Sequence, residues 1–318
     1  MGVSVVIPNY NGEKYLKACL DSLMEQSLKA EEIIVVDNDS KDSSIQYIID
    51  NYKDKVTLVT MDKNYGFSIA VNEGIKRSKS EFVALLNNDT ELHENWLEEL
   101  YNCIKSQDKI FSVSSKMLRF IERDIIDDAG DEYTLFGWSS KIGDGQPASK
   151  QEVSREVFSS CAGAAIYRKS ILEEIGLFDE NFFAYLEDMD ISYRARVYGY
   201  KNYYESKAMV YHIGSATSGS RHNSFKVRLA SRNNIYLIYK NMPNTQIALN
   251  FIFIFIGIMI KWIYFSLKGL GRDYIGGVFE GLKTKKKIHR VKIKNNLYNY
   301  RKIEKMLFIN TINLLKRG

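Results

Sequence analysis

The chain of 318 residues contains only three prolines and three cysteines. So little proline leaves no room for a Pro-rich linker between modules. Cys19, Cys103 and Cys161 are odd in number and widely spaced. They form neither a disulfide framework nor a metal-ligand spacing, which points to a reducing compartment. A basic n-region is also missing: Met1 runs directly into a strand pattern, so no signal peptide is expected. No internal repeat or low-complexity tract precedes the C-terminal region. What remains is ordinary globular material, 45% hydrophobic and 26% charged. Its length allows one large domain, or one domain with an appendage.

Charge is unevenly distributed. From Lys261 to Gly318, fifteen Lys/Arg face three acids (Asp273, Glu280, Glu304), about +12. The net charge is +5, so the preceding 260 residues carry about −7. An acidic body with a basic tail needs two explanations.

The first half alternates two patterns. Val3–Pro8, Glu32–Asp37, Val56–Met61 and Phe82–Asn87 are apolar runs that predict strands. Gly12–Leu28, Ser43–Tyr52, Gly66–Ser78 and Glu94–Ser106 carry helical apolar stripes. Such alternation predicts parallel βαβ units with right-handed crossovers. After Phe111–Met117 the pattern loosens. Residues 119–156 are polar and Gly-containing, longer than an ordinary connection, as lids and substrate-binding elements are. Cys161–Tyr167 predicts another strand and Lys169–Gly176 a short helix stopped by Gly176. Glu187–Tyr198 predicts a helix bounded by Gly199.

Four clusters carry the chemistry: Pro8-Asn9-Tyr10-Asn11, Asp37-Asn38-Asp39, Asn87-Asn88-Asp89 and Glu187-Asp188-Met189-Asp190. The first three end predicted strands, where open α/β sheets bind ligands in one crevice. Asp89 beside Asn87 and Asn88 offers oxygen ligands to a hard divalent cation, with a diphosphate supplying the rest. The alternative is a plain Asx turn. Asp37, Asn38 and Asp39 suit a pyrimidine edge or ribose hydroxyls, although one of them would cap the next helix. Acids opening the helix at Glu187 suit its dipole, and Asp190 can pair with Arg194 at i+4. Asp188 is the candidate base, because Phe182–Leu186 would wall it with apolar groups and raise its pKa. His212 ends a strand before a Ser/Thr/Gly-rich loop, with Arg221, Arg228 and Arg232 beyond. Metal ligand and packing residue both stay open there.

Taken in order, VVIPNYNG (Val5–Gly12), VVDNDSKD (Val35–Asp42), NYGFSIAVNEGI (Asn64–Ile75), LLNNDT (Leu85–Thr90), GLFDENFFAYLEDMDISYRARVYGY (Gly176–Tyr200), the His212 segment and SRNNIYLIYKN (Ser231–Asn241) resemble the inverting glycosyltransferases of family 2. The likeness is strongest to the rhamnosyltransferase-like branch and covers roughly residues 1–240. It implies the GT-A fold, a Rossmann-like mixed sheet flanked by helices. It implies that Pro8, Asn9, Tyr10, Asp37 and Asn38 line the nucleobase and ribose site, that Asn64, Phe67 and Asn72 complete the donor pocket beside Asn88, and that Arg232 lies near the phosphates. Asp89 and His212 would hold Mg²⁺ or Mn²⁺. Asp188 would be the base, organised by Glu187 and Asp190. One departure is Asn87, which replaces the first acid of the family's DXD motif and weakens metal affinity. The implied activity is transfer of a sugar, L-rhamnose from dTDP-rhamnose first, to a glycan or lipid-linked glycan in cell-surface polysaccharide synthesis. UDP-linked galactofuranose, hexose or N-acetylhexosamine is the alternative donor. A catalytically silent nucleotide-sugar-binding partner has only Asn87 in its favour.

Residues 241–318 read as a helical extension. Ile247–Ile260 is almost wholly apolar, interrupted by Asn250, and apolar character resumes over Trp262–Leu267. A spanning helix with Lys261 snorkelling, an interfacial helix and a buried core helix all fit. Lys283, Lys285, Lys286, Lys287, Arg290, Lys292 and Lys294 beside this stretch fit an anionic cytoplasmic leaflet better than nucleic acid, which would leave the acidic crevice unexplained. Leu307, Ile309, Ile312, Leu314 and Leu315 would add a second membrane-facing or dimer-forming helix. The expectation is a cytoplasmic protein, peripheral to or anchored in the inner face of the membrane. It would act on a polyprenyl-diphosphate-linked glycan, bind no nucleic acid and form a homodimer.

Overall fold

The computed structural model describes residues 2–214, 222–292 and 297–317. Arg221 and Lys294, singled out above, lie outside the described residues. Strands β1 (Val3–Asn9), β2 (Glu32–Asp37), β3 (Thr57–Thr60) and β4 (Phe82–Leu86) alternate with helices α1 (Glu13–Met24), α2 (Ser44–Tyr52) and α3 (Phe67–Arg77). There follow β5 (Thr90–Leu92), α4 (Trp96–Lys105) and β6 (Ile110–Arg119). The segment expected to be an open loop instead folds into β7 (Ile126–Asp128), β8 (Asp131–Tyr133), β9 (Ser139–Lys141) and β10 (Arg155–Val157). Then come β11 (Ala164–Arg168), α5 (Lys169–Ile175), α6 (Glu187–Tyr198), β12 (Lys201–His212), α7 (Ser224–Asn241), α8 (Asn244–Leu267), α9 (Gly271–Thr284) and α10 (Leu297–Arg317).

The main sheet runs β10-β12-β6-β11-β4-β1-β2-β3, with β5 added to β12 and β7 to β6. β1 is parallel to β2 and β4, as the βαβ pattern predicts. β11 enters antiparallel between β4 and β6, which makes the sheet mixed. Alternation along β1 sends Val5 and Ile7 to one face and Val6 to the other, so both faces are buried and the strand reads as a continuous apolar run. Leu16, Leu20, Trp96, Leu97 and Leu100 cover the first face. Val71, Ile75, Leu172 and Ile191 cover the second.

The C-terminal helices share a third core with the body. Tyr300, Ile303 and Leu307 of α10 cluster with Tyr133, Phe158, Met189 and Tyr193. Asn310 Nδ2 donates to the Tyr133 carbonyl at 3.0 Å, and Arg317 pairs with Glu132 at 2.9 Å. A boundary at 240 therefore follows the end of α7 but cuts through packed side chains. The apolar stretch is one unbroken helix, α8, of 24 residues that runs through Lys261.

Candidate active site

The C-terminal ends of β1, β2 and β4 carry a hydrogen-bonded floor. Asn88 Nδ2 donates to Asn9 Oδ1 at 2.6 Å, and Asn9 Nδ2 donates to Asp37 Oδ1 at 2.7 Å. The other Asp37 oxygen accepts the Ser40 amide at 2.9 Å. Asn38 Nδ2 reaches Asn64 Oδ1 at 3.0 Å and the Gly66 carbonyl, while Asn38 Oδ1 accepts the Tyr65 amide. Gly66 sits at φ +88°, and a Cβ there would meet the Phe183 carbonyl at 2.5 Å, so no side chain fits this approach. Above the floor opens a cleft of about 1280 Å³. Pro8, Asn9, Tyr10, Asn38, Asn64, Phe67, Asn87, Asn88, Asp89, Glu187, Asp188 and His212 all line it.

Four expected residues do not. Asp37 is fully buried beneath the floor, its carboxylate spent on Asn9 and Ser40. Asn72 is a staple: its amide donates to the Phe178 carbonyl at 2.8 Å and its oxygen accepts the Phe178 amide at 3.1 Å. Asp190 is 0% exposed and accepts from Arg194, Lys240 and Asn241. Arg232 turns to the carbonyls of Asn181 and Phe182 and to Glu280. Each of these polar groups is engaged by partners within the fold rather than turned to the cleft.

Asp188 sits in the first turn of α6. Its carboxylate accepts the Met189 amide at 2.7 Å and the Ala162 amide at 3.4 Å. Burial raises its pKa, and those amides only partly oppose the shift. Glu187 beside it is buried with Oε2 unpartnered, and burial together with the Asp188 charge pushes its pKa well up. The turn feeding α6 is strained: Phe183, Tyr185 and Leu186 have φ of 65°, 70° and 67°. Asn233 clamps it, donating through one amide to the carbonyls of Phe182, Ala184 and Tyr185 at 2.8–2.9 Å. The sequence reading did not single out Asn233, whose only trace is its place in the SRNN stretch.

Asp89 and His212 meet across the β5–β12 pair, where Thr90 faces His212. Asp89 Oδ1 is buried, has no hydrogen-bond donor and lies 3.4 Å from His212 Nε2. His212 Nδ1 contacts Asp127 Oδ2 at 2.8 Å, and Asp127 also pairs with Lys141 at 2.9 Å. Burial lowers the His212 pKa, yet the flanking carboxylates of Asp127 and Asp89 outweigh it and lift it to about 9. A buried carboxylate oxygen facing an imidazole nitrogen, with a second carboxylate behind the ring, is a donor set that fits a divalent cation once Nε2 gives up its proton. Among the described residues no three His, Cys, Asp or Glu side chains converge on one point. Two protein ligands, with Asn87 lining the same cleft, would leave the remaining positions to a diphosphate. Asp127 was missed because it stands in a polar stretch that reads as loop.

Architecture and cleft define the GT-A class of α/β transferases. Residues 4–176 match the profile of glycosyl transferase family 2, more than half of the chain, and the chain belongs to that family. An uncharacterised glycosyltransferase of Rickettsia typhi is 30% identical over 197 residues, 60% of this chain and 58% of the relative. The chain therefore spans less than two thirds of the length of that relative. The poly(ribitol-phosphate) beta-N-acetylglucosaminyltransferase TarP of Staphylococcus aureus is 38% identical over 104 residues, 31% of this chain and 32% of TarP. Among solved structures, GalNAc-T7 with UDP, GalNAc and Mn²⁺ superposes with a TM-score of 0.62 at 17% identity. That match covers 75% of this chain and 47% of GalNAc-T7, a likeness of fold.

Proposed function

We propose that the chain transfers a sugar from a pyrimidine nucleoside diphosphate donor to a glycan hydroxyl, with inversion at the anomeric carbon. The observation that carries this reading is the convergence of Asp188 with the Asp89–His212 pair in one cleft floored by the Asn9–Asn38–Asn64–Asn88 network. The nucleotide lies on that floor, against Pro8, Tyr10 and Phe67. Asp188 accepts the proton of the acceptor hydroxyl. The freed oxygen forms the new glycosidic bond as the bond to the diphosphate breaks, and the electron pair leaves with the diphosphate. A raised pKa makes Asp188 a stronger base than an exposed carboxylate, and the clamped Phe183–Leu186 turn fixes its direction. Asp89 and His212 would hold Mg²⁺ or Mn²⁺, which when bound neutralises charge on the leaving diphosphate.

The sugar rests on two leads. The motif likeness favours dTDP-rhamnose. The name of TarP carries N-acetylglucosamine, and GalNAc-T7 was solved with UDP and GalNAc, which favours a UDP-linked N-acetylhexosamine. The acceptor is a lipid-linked glycan on the inner membrane face, in line with the apolar α8 and the basic tail. Release of nucleoside diphosphate from a panel of donors, with Mg²⁺, Mn²⁺ or EDTA, tests the reading. Metal-dependent release from one donor, lost in Asp89→Ala, supports it and names the sugar. Donor binding by calorimetry without release under any condition favours the silent binding partner.

A further inference from the structure

α8 is long enough to cross a bilayer. Its 24 residues have a mean hydropathy of 2.1 over the best window, of which 17% is buried within the protein. At 1.5 Å per residue it measures about 36 Å, against a hydrocarbon core of about 30 Å. Its contacts forbid the crossing. Gln246, Asn250, Ile254 and Gly257 make one buried stripe, spaced at four, four and three residues. Gln246 and Asn250 both donate to the Glu304 carboxylate of α10, at 2.7 and 3.1 Å. A Cβ at Gly257 would meet the Phe136 carbonyl at 2.3 Å, and the Gly257 carbonyl accepts from Trp138 Nε1 at 3.1 Å. Further on, Phe265 stacks on Tyr274 of α9 at 5.3 Å. Folded elements thus line α8 along about 28 Å of its length. Were it upright in a membrane, the exposed Arg301, Lys302 and Lys305 of α10 would be carried to hydrocarbon depth, where charge is expensive.

The rest of its circumference is bare and apolar: Leu249, Ile252, Phe255, Ile256, Ile263 and Leu267 are all exposed. That is far more contiguous apolar helix than a surface in water carries. α8 also reaches the mouth of the cleft, where its half-buried Phe265 is part of the lining together with the exposed Phe225 of α7. Charge decides between occupants. The segment from Lys261 onward carries about +12. A second copy would bring the same charge to the contact, whereas anionic headgroups neutralise it.

We infer that α8 lies in the plane of an anionic bilayer, its apolar arc sunk among the acyl chains, so that the catalytic cleft opens at the headgroup layer. The acceptor hydroxyl then reaches Asp188 from the membrane side, a consequence that rests on the transfer reaction proposed above; the seat of the helix does not depend on it.

The full chain is floated with vesicles of phosphatidylglycerol and phosphatidylcholine, or of phosphatidylcholine alone. Flotation is expected with the anionic vesicles, and Ile252→Gln with Phe255→Gln should reduce it at least tenfold while leaving donor hydrolysis unchanged. Orientation is read by one introduced cysteine at either end of α8, Thr245→Cys or Lys268→Cys, in a Cys103→Ser, Cys161→Ser background that keeps only the buried Cys19. Inverted membrane vesicles from an expression host are treated with an impermeant maleimide. Labelling of both ends without detergent supports the in-plane seat. Labelling of one end only would establish a crossing helix and overturn it. A chain that ignores both vesicle types and sediments as a dimer dissociated by the Gln pair would show that a second copy covers the face, which also overturns it. Flotation with neither binding nor hydrolysis of any donor would leave the seat standing and remove the proposed reaction.

Discussion

Replacing Asp190 with alanine separates a structural from a catalytic role within the acidic turn. Asp190 is 0% exposed and holds Arg194 at 3.1 Å and Lys240 at 2.9 Å. Removing one partner of a buried ion pair costs roughly 3–5 kcal/mol, because the cation is left unpaired. Here both cations keep other partners. Arg194 still donates to the carbonyls of Ile175, Gly176 and Leu177, and Lys240 still meets Asp179 at 2.6 Å. The cost should therefore sit at the lower end, about 3 kcal/mol. With about 2 °C lost per kcal/mol in a chain of this size, the melting temperature should fall by about 6 °C. The assay is thermal unfolding followed by circular dichroism, beside turnover measured well below the transition. An unchanged melting temperature with a hundredfold loss of turnover would return Asp190 to the reacting centre.

Other outcomes follow from the same geometry. Asn233→Ala removes the amide whose two N–H groups are shared among the Phe182, Ala184 and Tyr185 carbonyls; turnover should fall by about tenfold or more while donor affinity, by calorimetry, holds. Asp127→Asn should weaken Mn²⁺ binding, titrated by electron paramagnetic resonance with UDP present, by about 10–100-fold, since the carboxylate orients His212. Burial raises the Asp128 carboxyl from 3.8 to about 7 in the folded chain. The unfolded chain then releases this proton first, so stability falls as pH climbs between those values. Asp128→Asn should melt higher than the parent at pH 8 and alike at pH 4.

Much of the nucleotide-facing half was legible because its signals are local. β1, β2 and β4 are buried on both faces, so each reads as an apolar run ended by polar residues. Asn9, Asn38, Asn88 and Asp89 follow those runs directly and fall together at the cleft. What stayed hidden depends on long-range partners. Nothing local announces that Asn72 meets Phe178, or that Asp127 reaches His212, 85 positions away. Arg232 sits in a stretch like the family's, yet its direction is set by carbonyls at Asn181 and Phe182 and by Glu280. β11 is as apolar as the mutually parallel β1, β2 and β4, and only its pairing with β4 and β6 reveals that it runs the other way.

Asp188→Asn removes the base and keeps the shape. Calorimetry with the nucleotide sugar identified by the donor panel is run beside transfer to its acceptor. Donor affinity should stay within about twofold of the parent and turnover should fall by at least about 10²-fold, the low end for a lost general base. Near-normal turnover in this variant would contradict this role of Asp188 and move the proton transfer to another group in the cleft.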